Sequence, residues 1–215
     1  MDPDYWLERW EKGRIGFHRA DANPRLIEHH KVLDGTIRVL VPLCGKTADL
    51  EWLVVQGFEV VGIELSELAA QAFFSERGFT PERREQGPFV AYRHGNVTIL
   101  VGDFFAANVS ELGAFDGVYD RAAMIALPPE LRGRYTAHLQ TLLAPKAKLL
   151  LVTLHFDAAG GPPFSVPPEE VAAAYASAKK LTQLASVDAR EDSPGPVERG
   201  ASFVHENVYD IEFGS

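Results

Sequence analysis

Hydrophobic positions along the chain fall into short runs of strand character alternating with stretches of helical spacing. Residues 37–42 carry Ile37, Val39, Leu40 and Val41 almost unbroken, as in a strand covered on both faces of a parallel sheet. Past Leu43-Cys44-Gly45-Lys46, Leu50, Leu53 and Val54 recur at helical spacing over residues 47–56, and Gly57 stands where such a helix stops. Residues 59–63 predict a second strand, and Ser66 caps a helix running through Leu68, Ala69, Ala72 and Phe73 to Gly78. Residues 89–93 and 97–101 flank His94-Gly95-Asn96, whose turn chemistry predicts a hairpin. Residues 115–119 read as a further strand, Pro129 opens a helix carrying Leu131, Tyr135, Leu139 and Leu142, and residues 148–154 are the most strand-like run. A Pro- and Gly-rich loop over 160–168 leads to a helix over 169–178. Residues 181–187 and 203–211 then predict closing strands on either side of Asp192-Ser193-Pro194-Gly195-Pro196.

Strands alternating with helices predict an α/β fold with a doubly wound sheet, because parallel neighbours need long crossovers; the two late strands predict an antiparallel edge. Ligands of such sheets lie beyond the carboxyl ends of the strands, at the point where strand order reverses. A length of 215 residues suits one domain over 1–215. Residues 1–34, rich in aromatic and charged side chains, are expected to form an extension packed on that domain and placed to cover a ligand.

Composition narrows the partners. A net charge of −9, with no run of Lys and Arg, opposes binding to a phosphate backbone, so no nucleic acid is expected. The one cysteine, Cys44, has no disulfide partner, and the N-terminus lacks the basic stretch and apolar core of a secretory signal, which points to the cytoplasm. No apolar run approaches the roughly 18 to 20 residues that span a bilayer, so no membrane partner is expected. The 7 histidines show no ligand spacing with Cys44, and no metal is expected. Cys44 reads as a small packing residue.

The turn 43–46 directly follows the first strand, where a nucleotide-type ligand approaches the backbone. It has one glycine, Gly45, and lacks two of the three that a pyrophosphate needs. Gly45-Lys46-Thr47 imitates the end of a phosphate-binding loop, but Leu40 stands where that loop needs its first glycine. Glu64 ends the second strand, 19 residues after Gly45, where a carboxylate accepts hydrogen bonds from both hydroxyls of a ribose. Asp103 and Phe104 follow the strand at 97–101 and suit an adenine ring by hydrogen bonding and stacking. Arg121 follows residues 115–119 at the sheet's carboxyl edge, where its fork of donors holds a carboxylate, polarises an acceptor, or pairs with Asp120.

Val41-Pro42-Leu43-Cys44-Gly45-Lys46, Val61-Gly62-Ile63-Glu64-Leu65-Ser66-Glu67 and the block from Asp120-Arg121 to Pro128 together resemble the thiopurine S-methyltransferases, the bacterial members above all. Gly161 to Pro167 and the N-terminal Trp6, Trp10 and Phe17-His18 extend the resemblance over nearly the whole chain. It implies the seven-stranded, mostly parallel, Rossmann-like sheet of S-adenosylmethionine-dependent methyltransferases. It further implies cofactor contacts at Trp10, Leu43, Glu64 and Arg121, with Asp103 and Phe104 beside them, a cover over the cofactor from Trp6 to Phe17, and Phe17 and Arg121 facing the acceptor. The animal members are similar in having a second arginine at the acceptor, for which the C-terminal region offers Arg190 and Arg199 without a motif match.

The implied reaction carries a methyl group from S-adenosylmethionine to a small thiol, or to a related selenium or tellurium compound, by in-line displacement within a monomer. A polarisable acceptor that is largely ionised near neutrality needs no dedicated base, and Arg121 would favour its anion. The alternatives are an S-adenosylmethionine-binding regulator without catalysis and a nicotinamide-dependent oxidoreductase, the latter disfavoured by the missing glycines.

Overall fold

The computed structural model describes residues 3–16 and 19–214. Helices α1 (Pro3–Glu11) and α2 (Pro24–His29) precede β1 (Arg38–Pro42), which is followed by α3 (Asp49–Val55), β2 (Glu59–Glu64) and α4 (Glu67–Ser75). A meander of β3 (Glu82–Gln86), β4 (Phe89–His94) and β5 (Val97–Val101) comes next, then α5 (Val109–Leu112), β6 (Phe115–Asp120), α6 (Ala123–Ala126), α7 (Pro129–Thr141) and β7 (Leu143–Phe156). The chain closes through α8 (Pro168–Ala174), β8 (Lys180–Asp188), α9 (Pro194–Glu198) and β9 (Val204–Glu212).

The described strands form one sheet in the order β3-β4-β5-β2-β1-β6-β7-β9-β8. Its centre, β5 to β7, is parallel. Both ends are antiparallel, through β4 and β3 beyond β5 and through β9 and β8 beyond β7. The sheet therefore has 9 strands where the resemblance implied seven, and two antiparallel ends where one was expected. The added strand that the hydrophobic pattern missed is β3, Glu-Arg-Arg-Glu-Gln, exposed along almost its whole length and paired only with β4. Backbone hydrogen bonds alone make it a strand, and its charges discourage further strand addition at that edge.

Successive strand residues point to opposite faces, and each face is covered. Leu40, Leu149 and Leu151 belong to a core shared with Tyr135 and Leu139 of α7, whereas Val39, Val41, Leu150 and Val152 belong to a second core shared with Leu50 and Leu53 of α3 and Phe73 of α4. Ser66 caps α4 as its sequence position predicts, accepting from the Ala69 amide at 3.3 Å. β7 is twice as long as its apolar run because its ends are held by neighbours: Leu143 pairs with Phe115, and Phe156 with Val204. α8 stops at Ala174, short of the expected 178.

The N-terminal extension is stitched into the second core. Leu26 and Leu33 are fully buried, and the Asn23 amide donates at 2.7 Å to Asp49 Oδ1 at the start of α3. Asp49 Oδ2 accepts from the Tyr119 hydroxyl of β6 at 3.1 Å. Among the described residues, no helix is long and apolar enough to cross a membrane.

Asp120, the last residue of β6, is fully buried and joins β6 to α6 and α7. Its Oδ1 accepts from the Ala123 amide at 3.0 Å, and its Oδ2 from the Tyr135 hydroxyl at 2.7 Å. Burial pushes this carboxyl up to about 6, against the opposing pull of the Tyr135 hydroxyl and the Ala123, Met124 and Ala122 amides. A carboxyl raised above its unfolded value stabilises the fold fully below that value, and the contribution is lost as pH rises through about 6. Asp120→Asn keeps an acceptor for Ala123 and removes the titration. Between pH 5 and pH 8 the parent should therefore lose roughly 1 kcal/mol of stability relative to the variant, read from urea unfolding at both pH values; a constant difference would show that Asp120 does not titrate in this range.

Candidate active site

Parallel strands on either side of β1 bring the ends of β5, β2, β1 and β6 to one edge of the sheet, and strand order reverses between β1 and β6. At the end of β1 the chain turns sharply: Leu43 has φ +49° and Gly45 φ +55°. A left-handed leucine is unfavourable on its own and persists only where surroundings impose it. Here the Cys44 amide donates to the Ile63 carbonyl at 3.1 Å, and the Gly45 amide donates to Glu64 Oε2 at 2.8 Å. Glu64 Oε1 accepts from the Ser66 amide at 2.8 Å. Burial raises the Glu64 carboxyl above its ordinary value, opposed by the amides of Ser66, Gly45 and Leu65.

Trp10 closes over this turn. A Cβ on Gly45 would lie 3.3 Å from the Trp10 indole, so the ring rests against the one glycine of the turn. Cys44 is buried, and its sulfur would lie 2.5 Å from a Cβ at position 62, so Gly62 is the residue that admits it. Burial, followed by the charge of Glu64, pushes the thiol well up, which suits packing and not nucleophilic attack.

Glu64 is in register with Val101, and the Gly102 amide donates to the Glu64 carbonyl at 2.9 Å, so the end of β5 adjoins the same turn. Asp103 there is exposed and its Oδ1 accepts from the Phe105 amide at 3.0 Å. Phe104 is 5 % exposed and packs on Tyr135 and His138, so most of its ring is already covered by the core. Phe105 is the more accessible ring, with the Arg134 guanidinium 4.0 Å above it.

Arg121 lies on the other side of β1, one residue beyond β6, on the wall of a cavity of about 120 Å³. Ile125, Val152 and Leu154 give this cavity apolar walls, and Arg19, Asp192 and Glu206 give it charged ones. Arg121 forms no hydrogen bond or ion pair with another described residue, and Asp120 is engaged with Tyr135 and Ala123 instead. Phe17 lies outside the described residues. Arg190 is turned to Asp188, with Nη2 2.5 Å from Oδ2, and Arg199 donates to the Pro163 carbonyl and stacks on Phe156. The second arginine on the cavity is Arg19, which the sequence passed over because a lone cation in an irregular segment carries no periodicity or motif.

Residues 1–213 match the family model for thiopurine S-methyltransferase. A Pseudomonas aeruginosa protein of that name is 45% identical over 218 residues, covering 100% of both chains. One from Pseudomonas putida is 45% identical over 216 residues, covering 98% of this chain and 99% of its own. Among solved structures, a Burkholderia thailandensis 1,6-didemethyltoxoflavin N1-methyltransferase with bound S-adenosylhomocysteine is similar at a TM-score of 0.65 and 18% identity, over 99% of this chain and 87% of that one. An Anabaena variabilis S-adenosylmethionine-dependent methyltransferase gives 0.64 and 14%, over 98% and 94%. Those two likenesses are of fold. The turn held by Glu64, the sheet edge carrying Arg121 and a relationship that runs the full length of the chain agree: the protein belongs to the thiopurine S-methyltransferase family and is an S-adenosylmethionine-dependent methyltransferase.

Proposed function

We propose that the protein methylates the sulfur of a small thiol, or the selenium or tellurium of a related compound, in the cavity beside Arg121, acting as a single-domain monomer in the cytoplasm. The observation that carries this reading is the Arg121 guanidinium, without a protein partner among the described residues, between apolar walls at the switch point. A cation so placed suits a soft anion.

The residues present fit an adenosyl ligand at the β1 turn. A carboxylate has about four acceptor positions. The Gly45 and Ser66 amides use one on each oxygen of Glu64, which leaves one on each for a pair of adjacent hydroxyls. Trp10 and Leu43 would bound the same ligand, Asp103 and Phe104 its base, and Arg121 its far end. S-adenosylmethionine, when bound, supplies a methyl group activated on a sulfonium. The chain's own contribution is alignment and exclusion of water: α1 and the Trp10 ring cover the turn, Ile125, Val152 and Leu154 keep the acceptor's surroundings apolar, and Arg121 holds the acceptor as its anion. No residue needs to act as a dedicated base.

Glu64→Ala should weaken S-adenosylmethionine and S-adenosylhomocysteine alike by about 1 to 3 kcal/mol in calorimetric titrations. The parent's affinity should fall as pH drops towards the raised pKa of Glu64, because protonation removes an acceptor, and Glu64→Gln should flatten that dependence. Equal affinity of the variants and the parent would take Glu64 out of the site. Amide exchange over residues 5–16 should slow when S-adenosylhomocysteine binds beneath Trp10, whereas unchanged exchange would remove the cover. Arg121→Ala at saturating cofactor should slow aliphatic thiols more than thiophenols and thiopurines, since a cation gains most for an acceptor not yet ionised, about 1.4 kcal/mol per pKa unit displaced. Parallel losses across the series would confine Arg121 to the cofactor.

A further inference from the structure

The charges around the cavity pair off unevenly. Glu206 of β9 is engaged by Arg25, with Nε 3.5 Å from Oε2, and by Asn23, with Nδ2 3.3 Å from Oε1. Asp192, between β8 and α9, is engaged by Arg19, with Nη2 3.2 Å from Oδ1. Arg121 has neither kind of partner among the described residues. Two guanidinium groups from distant parts of the chain thus border one cavity, Arg121 from the end of β6 and Arg19 from the segment after α1.

The Arg19–Asp192 contact is a weak one. It is a single nitrogen-to-oxygen contact between side chains that are 34% and 64% exposed, and exposed pairs of this kind contribute roughly 0 to 1 kcal/mol. A guanidinium grips a carboxylate better through two parallel bonds, and better still away from water. A carboxylate on a molecule inside the cavity therefore competes for Arg19 with advantage over Asp192.

We propose that Arg19 determines acceptor specificity, selecting thiols that also carry a carboxylate, with Asp192 holding the guanidinium until such an acceptor displaces it. Arg121 then faces the reacting sulfur and Arg19 the carboxylate. The inference rests on the reading of this cavity as the acceptor site. The contrary possibility is that the pair only fastens the N-terminal segment to the loop after β8.

The test compares 3-mercaptobenzoate with thiophenol as acceptors, and their S-methylated products as ligands in calorimetry with S-adenosylhomocysteine present. Both are run on the parent, Arg19→Ala, Arg19→Lys and Asp192→Asn. The parent should prefer the carboxylated member in KM and Kd, and Arg19→Ala should cut that preference by about five- to tenfold, with partial recovery in Arg19→Lys. Asp192→Asn frees the guanidinium and should raise the preference, and added salt should shrink it in the parent. An unchanged preference in Arg19→Ala overturns the proposal, as does Asp192→Asn behaving like Arg19→Ala, the result a mere fastening would give. Failure of the parent to methylate either thiol would remove the thiol reading, and the product-binding comparison would still decide what Arg19 selects.

Discussion

The site depends on one buried carboxylate. Glu64 is the point at which β2 ends, and its two oxygens take the amides of Gly45 and Ser66, which belong to the turns after β1 and β2. Without that bridge nothing polar would hold the Gly45 amide, and the left-handed conformations at Leu43 and Gly45 would lose their reason to persist. Burying a charge is costly, and the cost is visible in the upward shift of the carboxyl; the surrounding amides offset it in part. The carboxylate proposed to hold the cofactor's ribose thereby also shapes the turn beside it.

β1 divides the edge into two halves with different chemistry. Towards β2 and β5 the groups are backbone amides, a carboxylate and aromatic rings, which suit a nucleoside. Towards β6 and β7 they are guanidinium groups over aliphatic walls, which suit a small soft anion. Arg121 belongs to the second half and is carried by a turn that Asp120 secures from beneath, through Ala123 and Tyr135. A buried acid thus stands next to a guanidinium that has no partner among the described residues. It is stable here because Asp120 finds its partners in the protein interior and leaves the arginine turned outward.

Much of this was legible in the sequence where burial dictated composition. The runs at 39–41, 60–63 and 148–154 are apolar because both of their faces are covered, and Glu64 stands out as a charge ending such a run. β3 was illegible for the opposite reason: a strand held only by its ladder to β4 has no need of apolar side chains. The two late strands were read correctly, but the antiparallel character of the β5 side was not read as a second edge, since a hairpin signal does not say which neighbour it joins. Asp120 was weighed as a partner for Arg121, because adjacency in sequence says nothing of opposite directions in space. Arg19 and Asp192 meet across 173 positions and leave no local trace.

The Asn23 amide, fixed at 2.7 Å to Asp49, sets where the N-terminal arm is pinned. Two described residues on the N-terminal side of that anchor face the site, Trp10 over the Gly45 turn and Arg19 on the cavity. Were that arm to open about its anchor, the Gly45 turn and the cavity beside Arg121 would be uncovered together. Departure of the two products would then share one gate, and the frequency with which that gate swings would set a ceiling on turnover that no improvement in the chemistry beneath it can raise.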